Sequence, residues 1–366
     1  MNVLIAPDKF KGTLTAAQVC EAVAAGLEES GEGFAIRLLP LADGGDGTLD
    51  FFLHHLGGER VTVPVHDPLG RPIEAEFAWL RESNTAFLEM ARASGLSLLK
   101  PGERDPMQTN TLGTGELIRA ALRRGAKKIL IGIGGSATND GGAGVLLALG
   151  ATFRDAEGST VQPTGGELHR IARVVWDNQI DPSSVSFVAF CDVRNPFYGA
   201  QGAAYVYAAQ KGATAEQLPV LDAGLRAWAH VTLAHTGVDV QKVAGAGAGG
   251  GIAGGLHAWL GAELRPGIEI ILDLAGFDEA AHWADVIITG EGKLDEQTLH
   301  GKVVAGVMSR AQGKKVVVVC GRSELPKPPV RVFSLVDYAG ADRAMTDSFV
   351  ALREMCETVV ARMLRS

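Results

Sequence analysis

The chain has 366 residues and a formal net charge of −8, with 46% hydrophobic and 21% charged residues. That length allows about two domains with ample core, and the negative balance excludes nucleic acid or an anionic membrane as the main partner. No apolar run approaches a membrane span, and the opening residues enter a strand with no basic segment and apolar core of a signal peptide. The four cysteines (Cys20, Cys191, Cys320 and Cys356) are scattered without metal spacing, so a cytoplasmic protein with free thiols is expected.

In chain order, Asn2 to Ala6 reads as a strand, the stretch from Pro7 to Thr13 as a loop, and Thr15 as the cap of a helix to about Glu29. Ile36 to Leu41 reads as a second strand, ending in Ala42-Asp-Gly-Gly-Asp-Gly-Thr48 before a helix to about Leu56. This βαβα opening predicts a parallel sheet, whose ligands bind beyond the carboxyl ends of the strands. Lys9, Lys11, Asp43 and Asp46 fall there.

From about Val61 short alternating runs separated by turn residues predict antiparallel strands: Val61 to Val65, Pro72 to Trp79 and Thr85 to Met90. A Gly/Thr loop, Thr109 to Gly115, then leads into a helix from about Glu116 to Arg124, with Gly113 and Thr114 as candidate ligand contacts. The stretch Ile129 to Gly144 organises the chain. An apolar strand, Lys128 to Ile133, breaks into small polar residues and resumes as a helix from Ala143 to Leu149. A strand, a glycine-rich turn and a helix start form an anion cradle of backbone amides. Gly134 and Gly135 allow close approach, Ser136, Thr138 and Asn139 add neutral donors, and Asp140 offers a place for a cation. The blander reading is a tight turn with Asn139 or Asp140 as helix cap. A dinucleotide fingerprint is the other rival, with Gly132, Gly134 and Ala137 in spacing and Asp155 for a ribose, although the segment before Asp155 is short for a second strand.

Ser186 to Phe190 predicts a strand ending at Cys191-Asp-Val-Arg-Asn-Pro196. Gly245 to Gly255 is almost all glycine and alanine, and close helix packing explains it at least as well as a ligand loop. The tail alternates again: a strand from Asp285 to Thr289, a loop from Gly290 to Asp295, a helix from about Gln297 to Gln312, strands at Lys315 to Cys320 and Val330 to Leu335, and a helix from Thr346 to Arg365. Residues 283–366 are therefore expected to complete the sheet begun by 1–60. Residues 61–282 would be an inserted mixed domain, with the active site in the cleft between the two.

Glycine cradles, a few lysines and several carboxylates are what phosphoryl transfer requires: donors and a cation for the phosphates, carboxylates for a metal, and a base for the acceptor hydroxyl. Serine hydrolysis lacks its G-x-S-x-G turn, the phosphate-loop pattern is absent, and His54, His55 and His300 read as structural. Asp192 follows an apolar strand and is stiffened by Asn195-Pro196, which makes it the candidate general base; bracing its loop is the alternative. Lys9 would neutralise the phosphoryl group or a substrate carboxylate. Asp295 and Lys293 sit among other charges, which suits a metal or nucleotide contact.

Six stretches resemble the bacterial type I glycerate kinases: Ala6-Pro-Asp-Lys-Phe-Lys-Gly-Thr, Ala42-Asp-Gly-Gly-Asp-Gly-Thr, Thr114-Gly-Glu-Leu-Ile, Gly134-Gly-Ser-Ala-Thr-Asn-Asp-Gly-Gly, Cys191-Asp-Val-Arg-Asn-Pro and Thr289-Gly-Glu-Gly-Lys-Leu-Asp-Glu-Gln-Thr. The resemblance runs in order from the first residues to the last helix. It implies two α/β domains, one Rossmann- or flavodoxin-like, and ATP- and Mg2+-dependent phosphorylation of D-glycerate, usually to 2-phosphoglycerate. A monomer or homodimer is expected. Leu112 departs from the aromatic expected before Gly-Thr-Gly. The alternatives are a non-catalytic nucleotide- or hydroxyacid-binding regulator and an NAD-linked hydroxyacid dehydrogenase.

Overall fold

The computed structural model describes residues 1–45, 47–176, 184–299, 302–311 and 313–365, so Asp46 and His300 lie outside the described residues. The strands, in chain order, are β1 (Asn2–Ile5), β2 (Ala35–Leu38), β3 (Glu59–His66), β4 (Pro72–Leu80), β5 (Thr85–Glu89), β6 (Lys128–Gly132) and β7 (Thr152–Arg154). They continue as β8 (Arg173–Val175), β9 (Ser186–Phe190), β10 (Glu263–Arg265), β11 (Val286–Leu294), β12 (Lys315–Ser323) and β13 (Arg331–Ser334). The chain divides into two compact units, Met1–Gly44 with Pro266–Ser366, and Gly45–Arg265.

In the first unit five parallel strands lie in the order β13-β12-β11-β1-β2. Counted within the unit this is the flavodoxin-like order, whose ligand position is the reversal point, here between β1 and β11. The central strands carry continuous apolar runs because both faces are covered; Val3, Leu4 and Ile5 are all fully buried, while the edge strand β2 is largely exposed. Val3, Ile5, Val286, Ile288, Val317 and Val319 share one face with Val19, Val23 and Leu27 of helix Ala16–Glu29. That helix starts where expected: the Thr15 hydroxyl accepts from the Gln18 amide at 3.2 Å and Gln18 Oε1 accepts from the Thr15 amide at 2.9 Å.

The second unit holds a mixed sheet in the order β10-β9-β6-β5-β4-β3. The β3–β4 and β4–β5 pairs are antiparallel, as their alternating patterns predict, while β5, β6, β9 and β10 run parallel. A second core gathers around Trp228, with Phe153, Phe197, Leu221 and Leu225. The fold is α/β, as expected. Among the described residues no helix is long and apolar enough to cross a membrane, and all four cysteines are buried free thiols.

The expected unit borders at 60/61 and 282/283 differ from the compact ones, and packing explains why. The segment Thr48–His55 turns as a short α-helix and a π turn, and its Phe52 ring stacks 4.1 Å over Phe87 of β5. At the other border, helix Gly267–Leu274 packs Ile268 against Gly306 of the first unit.

Two local expectations are corrected. The predicted loop from Gly290 is instead a continuation of β11 to Leu294, paired with β12. Gly290 lies so close to that neighbour that a Cβ would come within 2.0 Å of the Val319 carbonyl oxygen, so the glycine serves the strand. The helix expected over 297–312 is a 3-10 turn, Glu296–Leu299, followed by helix Val303–Arg310.

Candidate active site

In the second unit the parallel strands end in register, with Glu89, Gly132, Phe190 and Arg265 on one row. Gly134 and Asp192 each stand two residues beyond it. Both are exposed, and Asp192 follows the buried Cys191 as the strand-end reading predicts. Gly135 takes a positive φ of 71°, which reverses the chain at the turn. The exposed turn then descends at once: Ser136 is 7% exposed, and Thr138, Asn139 and Asp140 are fully buried.

The expected helix-end cradle is revised by these neighbours. Asp140 Oδ2 accepts from the Thr111 amide (2.7 Å), the Thr111 hydroxyl (2.7 Å) and the Gly144 amide (3.0 Å), and Oδ1 accepts from the Gly142 amide (3.2 Å). The Val145 amide donates to Thr111 Oγ1 at 3.1 Å. The first amides of helix Ala143–Ala148 are thus consumed inside the protein, and Asp140 is a brace rather than a cation ligand. Gly113 and Thr114 are corrected likewise. They lie inside helix Leu112–Arg123, where a Cβ on Gly113 would come within 1.9 Å of the His66 carbonyl oxygen, and Thr114 donates to Ser94 Oγ at 2.7 Å.

What fills the space behind the turn is a residue that sequence reasoning missed. Lys211 is 2% exposed, and its Nζ donates to Ser136 Oγ and to the Thr138 carbonyl oxygen, each at 2.7 Å. Burial pushes its ammonium down to about 7, against the attraction of Asp140. Beside it, Thr138 Oγ1 and both side-chain polar atoms of Asn139 are buried with no hydrogen-bond partner among the described residues. Lys211 falls in no motif of the sequence, so no local signal marks it.

The glycine-alanine run takes the packing reading. A Cβ on Gly250 would lie 1.9 Å from the Thr138 carbonyl oxygen, so the run is pressed against the back of this loop. The dinucleotide reading loses its acid as well: Asp155 lies at the β7–β8 hairpin, taken up by Arg170 at 3.2 Å and the Ser159 amide at 2.7 Å.

In the first unit the reversal point carries an acidic corner. Asp8 follows β1 and is 7% exposed; its amide donates to the Gly290 carbonyl oxygen at 2.8 Å, and Oδ1 accepts from the Lys9 amide at 2.7 Å. Burial first, then Asp43 and Glu291, push its carboxyl up to about 7, while the amide and charge of Lys9 oppose this. Glu291, 6% exposed on β11, has Oε2 3.6 Å from Lys302 Nζ and a buried Oε1 with no hydrogen-bond partner among the described residues. Burial raises its carboxyl too, and Asp295 adds to the rise. Of the residues expected here, Lys9 and Asp43 are half-buried at the same strand ends. Lys293 forms ion pairs with Asp295 at 3.4 Å and Glu324 at 2.9 Å, and Asp295 Oδ1 also accepts from the Thr298 amide at 3.3 Å. Asp8 and Glu291, passed over in the sequence, are the buried members of the group.

Comparison with known proteins covers both units. A model of the glycerate kinase family matches residues 3–364. A glycerate kinase from Bacillus cereus is 41% identical over 359 residues, 97% of this chain and 93% of that protein. A glycerate 2-kinase from Escherichia coli is 42% identical over 325 residues, 88% of this chain and 85% of that protein. A crystal structure of a presumed glycerate kinase 2 from Salmonella typhimurium LT2 superposes with a TM-score of 0.90 at 40% identity, covering 100% of this chain and 98% of that one. The chain belongs to the glycerate kinase family.

Proposed function

We propose that this chain transfers the γ-phosphoryl group of ATP to a hydroxyl of D-glycerate, giving 2-phosphoglycerate, as a cytoplasmic monomer or homodimer. The observation that carries this reading is similarity to glycerate kinases along nearly the whole chain. The flavodoxin-ordered unit supports a nucleotide site at the β1–β11 reversal.

Mg2+ is the cation such a transfer calls for. Among the described residues no three His, Cys, Asp or Glu side chains converge as a ready-made cage. Mg2+ is usually held by one or two carboxylates together with substrate phosphates and water. Glu291, whose Oε1 has no hydrogen-bond partner among the described residues, and the neighbouring Asp8 are the carboxylates that would hold it. When bound, Mg2+ neutralises charge on the phosphate oxygens. Lys9, aimed by the end of β1, adds fixed positive charge for the phosphoryl group. In the second unit, the Gly134–Ser136 turn receives the hydroxyacid, and Asp192 takes the proton from its hydroxyl.

Phosphorus NMR of the product formed from ATP and D-glycerate tests this. Phosphate on C2 couples to one proton and gives a doublet; phosphate on C3 couples to two and gives a triplet. A doublet is expected. A triplet would overturn the position, and no phosphoryl transfer would overturn the function.

A further inference from the structure

We infer that Lys211 is the positioning cation of an anion seat, holding Ser136 so that its hydroxyl donates to the carboxylate of the hydroxyacid resting on the Gly134–Gly135 turn. The inference deepens the kinase reading and rests on it.

A buried ammonium is costly unless paired with a charge, and the two described bonds of Lys211 go to neutral oxygens, Ser136 Oγ and the Thr138 carbonyl. Its one attractive carboxylate, Asp140, already accepts four hydrogen bonds from Thr111, Gly142 and Gly144. Asp140 attracts the lysine without forming an ion pair with it, so the ammonium keeps positive potential behind the turn that is only partly offset. Burial drives its ammonium down to about 7, the same imbalance seen from the proton's side. An anion within reach would resolve it.

The direction of the hydrogen bonds says how the charge is delivered. Ser136 Oγ accepts from Lys211, so the serine's own proton is left to donate elsewhere. Ser136 is the outermost member of the group, next to the exposed Gly134 and Gly135, whereas Lys211 is sealed behind it. A ligand on the turn meets a serine hydroxyl polarised by a buried cation. Thr138 Oγ1 and the Asn139 amide, buried without partners, are the second observation. Buried polar groups are nearly always satisfied, so these atoms beside the lysine's own hydrogen-bond partners mark a polar network that a ligand at the turn would extend. A carboxylate fits better than a nucleotide phosphate: a single polarised hydroxyl and one set-back charge suit a compact monoanion.

Steady-state kinetics of Lys211→Met test this, alongside Ser136→Ala, which keeps the lysine in place should the first variant fold poorly. Loss of a charge-assisted contact costs about tenfold to a hundredfold in affinity. Both variants should raise KM for D-glycerate by about that factor, with KM for ATP little changed. The preference for D-glycerate over its neutral amide should shrink in step, which a merely structural lysine would not move. An unchanged KM for D-glycerate in both variants would overturn the seat. A rise in KM for ATP instead would give the seat to a phosphate and overturn the carboxylate assignment. Wild-type protein that phosphorylates nothing would refute the kinase reading itself, a separate outcome.

Discussion

Asp8 in the parallel-sheet unit and Lys211 in the mixed-sheet unit are buried groups of opposite sign, and burial moves both toward neutrality. In the parallel-sheet unit Asp8 is pushed up to about 7 beside two further carboxylates; in the mixed-sheet unit Lys211 is pushed down to about 7 against neutral oxygens. The two differ in what completes them. On the proposed reading a cation completes the acidic corner, where Glu291 Oε1 has no hydrogen-bond partner among the described residues. An anion completes the lysine seat, where Thr138 Oγ1 and the Asn139 side chain have none among the described residues. On that reading one chain readies both partners of phosphoryl transfer by the same device, a buried group short of its counter-charge.

The largest expected effect falls on neither seat but on the exposed residue beyond β9. Asp192→Asn keeps size and hydrogen bonding but removes the base, and kcat should fall by roughly a hundredfold to ten-thousandfold, with melting temperature and ATP affinity unchanged. If the variant keeps kcat but melts early, the residue braces its loop and the mixed-sheet unit supplies no base.

Next comes the cationic neighbour of Asp8 in the acidic corner. Lys9→Met should cost about a hundredfold in rate, with KM for D-glycerate little changed. A rise confined to that KM would move Lys9 to the hydroxyacid and blur the contrast between the seats.

A smaller effect sharpens the comparison through stability. Lys211 has a folded-state value near 7, below the 10.5 of an unburied lysine. Between those values the unfolded chain carries the proton and the folded chain does not, so this group makes stability rise with pH across the window. Lys211→Met should remove that rise, read as the pH dependence of the difference in melting temperature from wild type. A difference flat between pH 7 and pH 10 would mean that the lysine is not desolvated in solution.

Much of this architecture was legible in the sequence, because apolar strands and strand-end glycine or aspartate loops follow from local pattern. Val3 to Ile5, Ile129 to Ile131 and Phe187 to Phe190 announce buried strands by composition alone. What was illegible depends on the third dimension. Gly290-Glu291-Gly292 reads as a loop because its glycines look like punctuation, yet their missing side chains let β11 run on beside β12 and carry Glu291 into the corner. Gly113 reads as a ligand glycine, but the His66 carbonyl beside it makes it a packing glycine. Asp140 reads as a cation ligand, but four hydrogen-bond donors from its own unit surround it. Lys211 reached the site from 75 residues beyond Ser136, a separation no motif spans.

Calorimetric titration of the two ligands into two variants separates the cation corner from the anion seat. With Lys211→Met, D-glycerate should bind about tenfold or more weakly, while a Mg2+ complex of a non-hydrolysable ATP analogue binds as in wild type. With Glu291→Gln the losses should exchange, the nucleotide complex weakening and D-glycerate unaffected. Both variants losing the same ligand would contradict the account.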